Sequence, residues 1–259
     1  MRFVTWNVNS LRVRQPRVEA WLAEVQPDVV CLQETKLADS AFPHMAFQVL
    51  GYESFHCGEG RWNGVAILSK VGLDDVVCAF ADGQDPDAEA RLITATCGGV
   101  RTTSVYVPNG RGLEEDHYQY KLRWLARLKA HVAATRAPGQ PVVVAGDFNI
   151  APEDRDVYDP AKFVNATHTS PPERAALADI ESLGLIDTFR QLYPDSGLYS
   201  WWDYRAGDFH QGRGLRIDLV LADEALAATC RWAVIDRNAR KGSQPSDHAP
   251  VLVELDPAA

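Results

Sequence analysis

Short apolar runs that end in a carboxylate or a carboxamide recur along this chain, and this pattern narrows the possible folds more than any other feature. FVTWN ends at Asn7, PDVVCLQE at Glu34, TTSVYVPN at Asn109 and PVVVAGDFN at Asp147 and Asn149, while LRIDLVL carries Asp218 within its run. Runs of four or five β-branched or apolar residues read as strands buried on both faces. Between the first two, Val18, Trp21, Leu22 and Val25 fall at i, i+3, i+4 and i+7 on one helical face, with Pro16 near the start and Pro27 beyond the end. The unit is strand, helix, strand. With parallel strands, the crossover places both C-terminal ends on one sheet edge and makes Asn7 and Glu34 neighbours.

Tyr118, Leu122, Leu125 and Val132 predict a second helix ending before Gly139, and Leu177, Ile180 and Leu183 a third stopped by Gly184. Residues 82–89, DGQDPDAE, read as a solvated loop, and residues 153–174 as a long surface loop or short irregular helices. No repeat or linker divides the chain, so residues 1–259 read as one domain of sheets covered by helices.

A composition of 46% hydrophobic and 24% charged residues excludes a disordered or fibrous chain. A chain of this length buries roughly 70–75% of its unfolded surface and needs no covalent staples. Cys31, Cys57, Cys78, Cys97 and Cys230 are scattered with no C-x-x-C, which argues against a disulfide framework or a thiolate zinc site and for a reducing cytosol. The start, MRFVTWNVNSLRVR, lacks the apolar core of a secretory signal, and no run approaches the ~18 apolar residues of a membrane span. A cytoplasmic protein without a membrane partner is expected. The net charge of −9 argues mildly against a polyanionic partner. Screening over about 8 Å, however, makes the charge around a site matter more than the total.

Three segments carry chemistry. In GDFN, Asp147 and Asn149 point the same way at strand spacing, and Gly146 allows close backbone approach. A carboxylate and an amide at a sheet edge suit a metal-activated water or a phosphate; the alternative is an ordinary strand exit with Asx-turn chemistry. Glu34, at the end of a buried run, suits an oxygen ligand for Mg²⁺, against the alternative of a surface glutamate. In SDHAPV, His248 can serve as acid, base or cation; its neighbour Asp247 points away on an extended chain, so Asp218 is the candidate that orients it.

NVNSLR, PDVVCLQETK, YVPNG, GDFN, SWWDYR, RGLRIDLVL and PSDHAPV occur in one order over nearly the whole chain. In these motifs the chain resembles the exonuclease III family of AP endonucleases, within the endonuclease/exonuclease/phosphatase superfamily. The resemblance implies a four-layer α/β sandwich, two mixed β-sheets packed face to face with helices outside. It implies a Mg²⁺-dependent DNA-repair phosphodiesterase, with Mn²⁺ as a substitute ion. Such an enzyme acts as a monomer on double-stranded DNA at abasic sites or blocked 3′ ends, leaves a 3′-hydroxyl, and also trims 3′ ends as exonuclease or phosphatase.

Carried over by position, the resemblance makes Glu34 the main metal ligand, with Asn7 beside it and Asp247 near the metal. Asp147 would position or deprotonate water, Asn149 would hold the phosphate, Asp218 would orient His248, and Tyr106 would contact the phosphate or leaving group. Trp201, Leu215 and Ile217 would wall an apolar pocket for a sugar lacking its base, while Trp202 and Tyr204 read as core. Asn109, Arg111, Arg205 and Arg216 would bind substrate, and Arg12, Arg14, Lys36, Arg213, Arg237, Arg240 and Lys241 would complete a basic rim. Two alternatives stand beside this reading. One is a superfamily phosphatase or lipid phosphodiesterase; the other, a non-catalytic DNA-binding member, would be expected to lack at least one of Glu34, Asp147, Asp218 or His248, and none is missing.

Overall fold

The computed structural model describes residues 1–257. In chain order the strands are β1 (Arg2–Asn7), β2 (Val29–Gln33), β3 (Glu53–Cys57), β4 (Val65–Ser69), β5 (Asp74–Val77), β6 (Leu92–Cys97), β7 (Val100–Tyr106), β8 (Val142–Asp147), β9 (Leu185–Asp187), β10 (Asp218–Asp223), β11 (Trp232–Ile235) and β12 (Val251–Glu254). The helices used below are α1 (Leu11–Val25), α2 (His44–Val49), α3 (Asp116–Thr135), α4 (Pro171–Glu181) and α5 (Thr188–Leu192). One six-stranded sheet has the order β11-β12-β1-β2-β4-β3 and the other β5-β6-β7-β8-β10-β9.

Both faces of the central strands are apolar, and each face has a partner. Phe3, Val29, Cys31 and Ile67 of one sheet meet Ile93, Val143, Ala145 and Val220 of the other in the central core. The opposite faces bury Val4, Trp6, Val30 and Leu32 against α1, and Val142, Val144, Leu219 and Leu221 against α3 and α4. Helix, sheet, sheet, helix is the resulting stack, the four-layer sandwich expected from the motifs.

Parallel strands are restricted to β1 with β2 and β7 with β8; the other strand pairs among the described residues are antiparallel. A doubly apolar run does not reveal the direction of its neighbour: the strand-helix-strand pattern holds for β1-α1-β2 and recurs in β7-α3-β8, while the remaining pairs are antiparallel. Gly146 does allow close approach: a Cβ there would stand 2.0 Å from the carbonyl oxygen of Val105 on β7.

Three local expectations are corrected, and the open reading of residues 153–174 resolves to its short-helix alternative. α1 begins five residues before Pro16, because the Ser10 and Leu11 amides donate to the Glu34 and Thr35 carbonyls and draw the chain into the helix early. Residues 153–170 form two 3-10 turns, Asp154–Asp156 and Pro160–Phe163, before Ser170 caps α4 in a capping box with Glu173. Tyr204 is half exposed, with its hydroxyl donating to the Pro245 carbonyl, whereas Trp202 is buried as expected. Cys57 and Cys78 form a disulfide, with Cα atoms 6.0 Å apart, against the expectation of free thiols. They lie at the end of β3 and just past β5, edge strands of facing sheets whose proximity no local spacing reveals.

Candidate active site and metal centre

The C-terminal ends of β1, β2, β7 and β8 meet the starts of β10 and β12 at one end of the sandwich. Asn7 pairs with Gln33 in register, which puts Glu34 one residue past β2 beside it. Tyr106 and Asp218 both pair with Asp147, from the two strands flanking β8. His248 reaches the same edge through its bridge with Trp201, just before β12.

One side chain ties the two carboxylates together: the Asn7 amide donates to Glu34 Oε1 at 2.8 Å and to Asp147 Oδ2 at 2.9 Å. His248 Nδ1 lies 2.8 Å from Asp218 Oδ2, and Nε2 lies 3.7 Å from Asp147 Oδ2. Glu34, Asp147 and His248 each offer a ligand atom within 4.8 Å of the others. Close, buried carboxylates are hard oxygen donors, and this set fits a divalent cation. Asn7 Oδ1 instead accepts from the Asn9 amide, so here Asn7 orients the carboxylates.

Electrostatics separates the roles of these groups. Burial, with help from Asp218 and Glu34, pushes Asp147 up to about 7, against the opposing pull of His248 and Asn7. Burial opposes a charged His248, yet Asp218 and Asp147 outweigh it and push the imidazole up to about 10. Burial likewise opposes an ionised Glu34, but Lys36 and the Asn7 amide hold its pKa low, with Lys36 Nζ 2.8 Å from Oε2. Burial and the Glu34 carboxylate raise the Tyr106 phenol well above its ordinary value, so it stays protonated.

Asn149 leaves the strand at φ +50°, its backbone amide donating to Asp147 Oδ1 at 2.9 Å. The Asx turn and the catalytic placement thus coexist. The Asn149 side chain donates to the Val107 carbonyl, while its Oδ1 accepts from Asn109 at 3.3 Å. Arg111 lies exposed on the same loop, its amide donating to Asn109 Oδ1.

The remaining metal and substrate candidates differ in placement. Asp247 accepts from Asn9 at 3.0 Å and from the Trp201 indole at 3.2 Å, outside the Glu34, Asp147 and His248 cluster. Leu215 and Ile217 are 1% and 2% exposed, packed with Ala151 and Val157, and only Trp201 and Phe163 of that cluster are partly exposed. Arg205 is free to meet solvent but is paired with Asp203. Arg216 is buried and bonded to Asp156 at 2.6 Å, with Asp187 2.7 Å away, which removes it from any DNA-facing rim. Its side chain points inward because Leu215–Asp218 lines the sheet interior, and the two carboxylates compensate its charge. Arg240 is also buried, its guanidinium 4.5 Å from the Phe209 ring centroid.

Four residues near the site escaped the sequence reading. Asn9 links Lys36 to Asp247. Lys121 of α3 and Glu173 of α4 form a fully buried pair, and Lys121 also donates to the carbonyls of Asn149 at 2.7 Å and Asn109 at 3.3 Å. His168 Nε2 lies 3.1 Å from Asn149 Oδ1 and 3.2 Å from Asn109 Nδ2; burial first, then Lys121, lowers its pKa to about 4, leaving the ring neutral. The available signal was Lys121 standing on the apolar face of a helix, a position that requires a partner.

Residues 4–248 match the model of the Endonuclease/Exonuclease/phosphatase family. The exodeoxyribonuclease III of Haemophilus influenzae is 35% identical over 98% of this chain and 100% of its own length. An AP endonuclease from Archaeoglobus fulgidus superposes with a TM-score of 0.95 at 37% identity, covering 99% of each chain. A 3′-5′ exonuclease from Neisseria meningitidis does so with a TM-score of 0.94 at 42% identity, covering 99% of this chain and 100% of the other. A Neisseria 3′ phosphatase bound to a product DNA hairpin matches at 41% identity and a TM-score of 0.95, covering 99% of each chain. With the motif order, the fold and these relatives in agreement, the chain belongs to the Endonuclease/Exonuclease/phosphatase family, in its exonuclease III branch.

Proposed function

We propose that this protein is a Mg²⁺-dependent phosphodiesterase, able to use Mn²⁺, that hydrolyses the backbone of double-stranded DNA and leaves a 3′-hydroxyl. The convergence of Glu34, Asp147 and His248, with Asp218 behind the imidazole, carries this reading. The divalent cation, when bound, supplies Lewis-acid charge at the phosphate. Glu34 and Asp147 are the residues that would hold it. Asp147 takes the proton of the attacking water, since His248 is already protonated wherever Asp147 titrates. The imidazolium faces the developing negative charge, the second N–H of the Asn149 amide binds a phosphate oxygen, and the Tyr106 hydroxyl donates beside it. A monomer working on DNA in the cytoplasm completes this reading.

Two substrate classes are in range, abasic sites and blocked or recessed 3′ ends, and two observations order them. Accepting an abasic sugar from within a strand requires an apolar recess, but Leu215 and Ile217 are closed against Ala151 and Val157. His168 also engages both Asn149 and Asn109, amides that an internal nucleotide would need. A 3′ terminus has chain on only one side and makes the smaller demand. This favours 3′-end trimming over abasic incision.

The test is gel analysis of one duplex with an internal abasic site beside duplexes with a recessed 3′ end or a 3′-phosphate, each with Mg²⁺ and with chelator. All three should react only with metal, and the 3′-end substrates faster. Reaction in chelator would refute the metal mechanism, and faster abasic cleavage would reverse the order.

A further inference from the structure

Glu34 stands in a strained turn. Its φ is +53° and that of Lys36 is +52°, a left-handed region that residues with a Cβ occupy only when their surroundings hold them there. Part of the hold is backbone: Thr35 N donates to the Gly64 carbonyl at 3.1 Å and Lys36 N to the Asn63 carbonyl at 2.9 Å. The rest runs through side chains that none of the catalytic roles above uses. Thr35 Oγ1 lies 2.7 Å from His56 Nε2, and His56 Nδ1 lies 2.8 Å from Asp39 Oδ1, which also accepts from the Gly58 amide at 2.8 Å.

This relay is tightly enclosed. The His56 ring stacks on Phe42 with centroids 4.4 Å apart and planes 16° apart. A Cβ at Gly64 would stand 2.2 Å from Thr35 Oγ1, and one at Gly58 would stand 2.2 Å from the His56 ring and 2.3 Å from the Leu37 carbonyl. Glycine at both positions leaves room for the side chains. Carboxylate, imidazole and hydroxyl in a row is also the order of a nucleophile relay, but Thr35 is 0% exposed and no substrate reaches its hydroxyl.

We propose that His56, oriented by Asp39, is a positioning residue that holds Thr35 and thereby fixes the carboxylate of Glu34 for the divalent cation. The proposal rests on the reading of Glu34 as a metal ligand. With the proton on Nδ1, 2.8 Å from the Asp39 carboxylate though not aligned for a hydrogen bond, Nε2 is left as the acceptor for the Thr35 hydroxyl, whose donation fixes the side chain next to Glu34. Burial, opposed by Asp39, lowers the His56 pKa to about 4, so the ring keeps that acceptor at neutral pH. Without the relay the turn is free to relax, and Glu34 can swing from the Asn7 amide toward Lys36, already 2.8 Å from its other oxygen.

Mn²⁺ titration of the full chain without DNA, followed by electron paramagnetic resonance and paired with thermal melts, tests this. Thr35→Val keeps the shape and removes the hydroxyl; it should weaken Mn²⁺ binding by about ten- to a hundredfold, as loss of a group that orients a ligand does. Thr35→Ser and His56→Gln, which restore a hydroxyl or an acceptor near Nε2, should stay close to wild type, while His56→Ala should follow Thr35→Val. In cleavage assays Thr35→Val should need correspondingly more Mg²⁺ for half-maximal rate. Wild-type Mn²⁺ affinity in folded Thr35→Val, whatever its melting temperature, overturns the proposal, and the Val and Ser pair decides the matter even if His56→Ala does not fold. Glu34→Gln separates the two levels. If it binds Mn²⁺ like wild type, the metal reading fails and the proposal with it; if it loses binding while Thr35→Val does not, the proposal alone fails.

Discussion

His248 and Asp147 are both raised, to about 10 and about 7, and the proposed mechanism follows this ordering in giving the water's proton to Asp147. Turnover should rise as Asp147 loses its proton, at or below about pH 7 because a bound cation moves that limb lower, and should fall near pH 10 as His248 loses its own. Asp218→Asn removes the largest charge that raises His248, so its alkaline limb should move toward neutral pH, with turnover down roughly 10²-fold. A pH–rate profile of this variant whose alkaline limb stays in place would contradict the assignment. Glu34 and Asp147 were legible in the sequence because each ends a buried run, and Asp218 because it stands inside one, where a carboxylate needs a reason. Arg216 misled because it adjoins Asp218 in a motif. Its burial depends on Asp156 and Asp187, distant residues that local sequence does not associate with it.

Between elements, the Lys121 and Glu173 pair ties α3 to α4 beneath the two loops that carry Asn109 and Asn149. Removing one partner leaves an uncompensated buried charge, so Lys121→Met should cost about 3–5 kcal/mol of stability, and adding Glu173→Gln, which removes the charge but keeps an acceptor oxygen for Ser170 or His168, should recover part of it. Denaturant unfolding of both single variants and the double variant checks this; a double-variant loss equal to the sum of the two single losses would mean the pair is not coupled. The helices themselves were readable, since α3 and α4 show their apolar stripes plainly. The start of α1 was not, because residues before Pro16 are recruited by carbonyls of Glu34 and Thr35, a contact between segments. For the same reason the sequence showed a parallel β1-α1-β2 unit and gave no direct sign of two sheets facing each other. Only the ordered motifs, through the resemblance they carry, supplied that architecture.

Across the whole molecule, opposing titrations set the pH of greatest stability. His56, His131 and His168 are lowered to about 4 in the fold, chiefly by burial, from an ordinary value of 6.5. Between those values the unfolded chain binds more protons, so their contribution is lost as pH falls from 6.5 toward 4. His248 is raised, so its contribution is complete below 6.5 and lost as pH rises toward about 10. Asp147, raised from 3.8 to about 7, loses its contribution over that interval and partly offsets the three histidines. Melting temperatures in chelator should therefore peak near neutral pH and fall on both sides; a steady rise from pH 6.5 to 10 would contradict the state assigned to His248. The catalytic claim is tested most directly by single-turnover cleavage of a duplex with a recessed 3′ end by Asp147→Asn, alongside its affinity for the same duplex in chelator. The account predicts a rate at least roughly 10²-fold below wild type with DNA affinity nearly unchanged. A near-normal rate in that variant would remove Asp147 from the reaction and contradict the proposed mechanism.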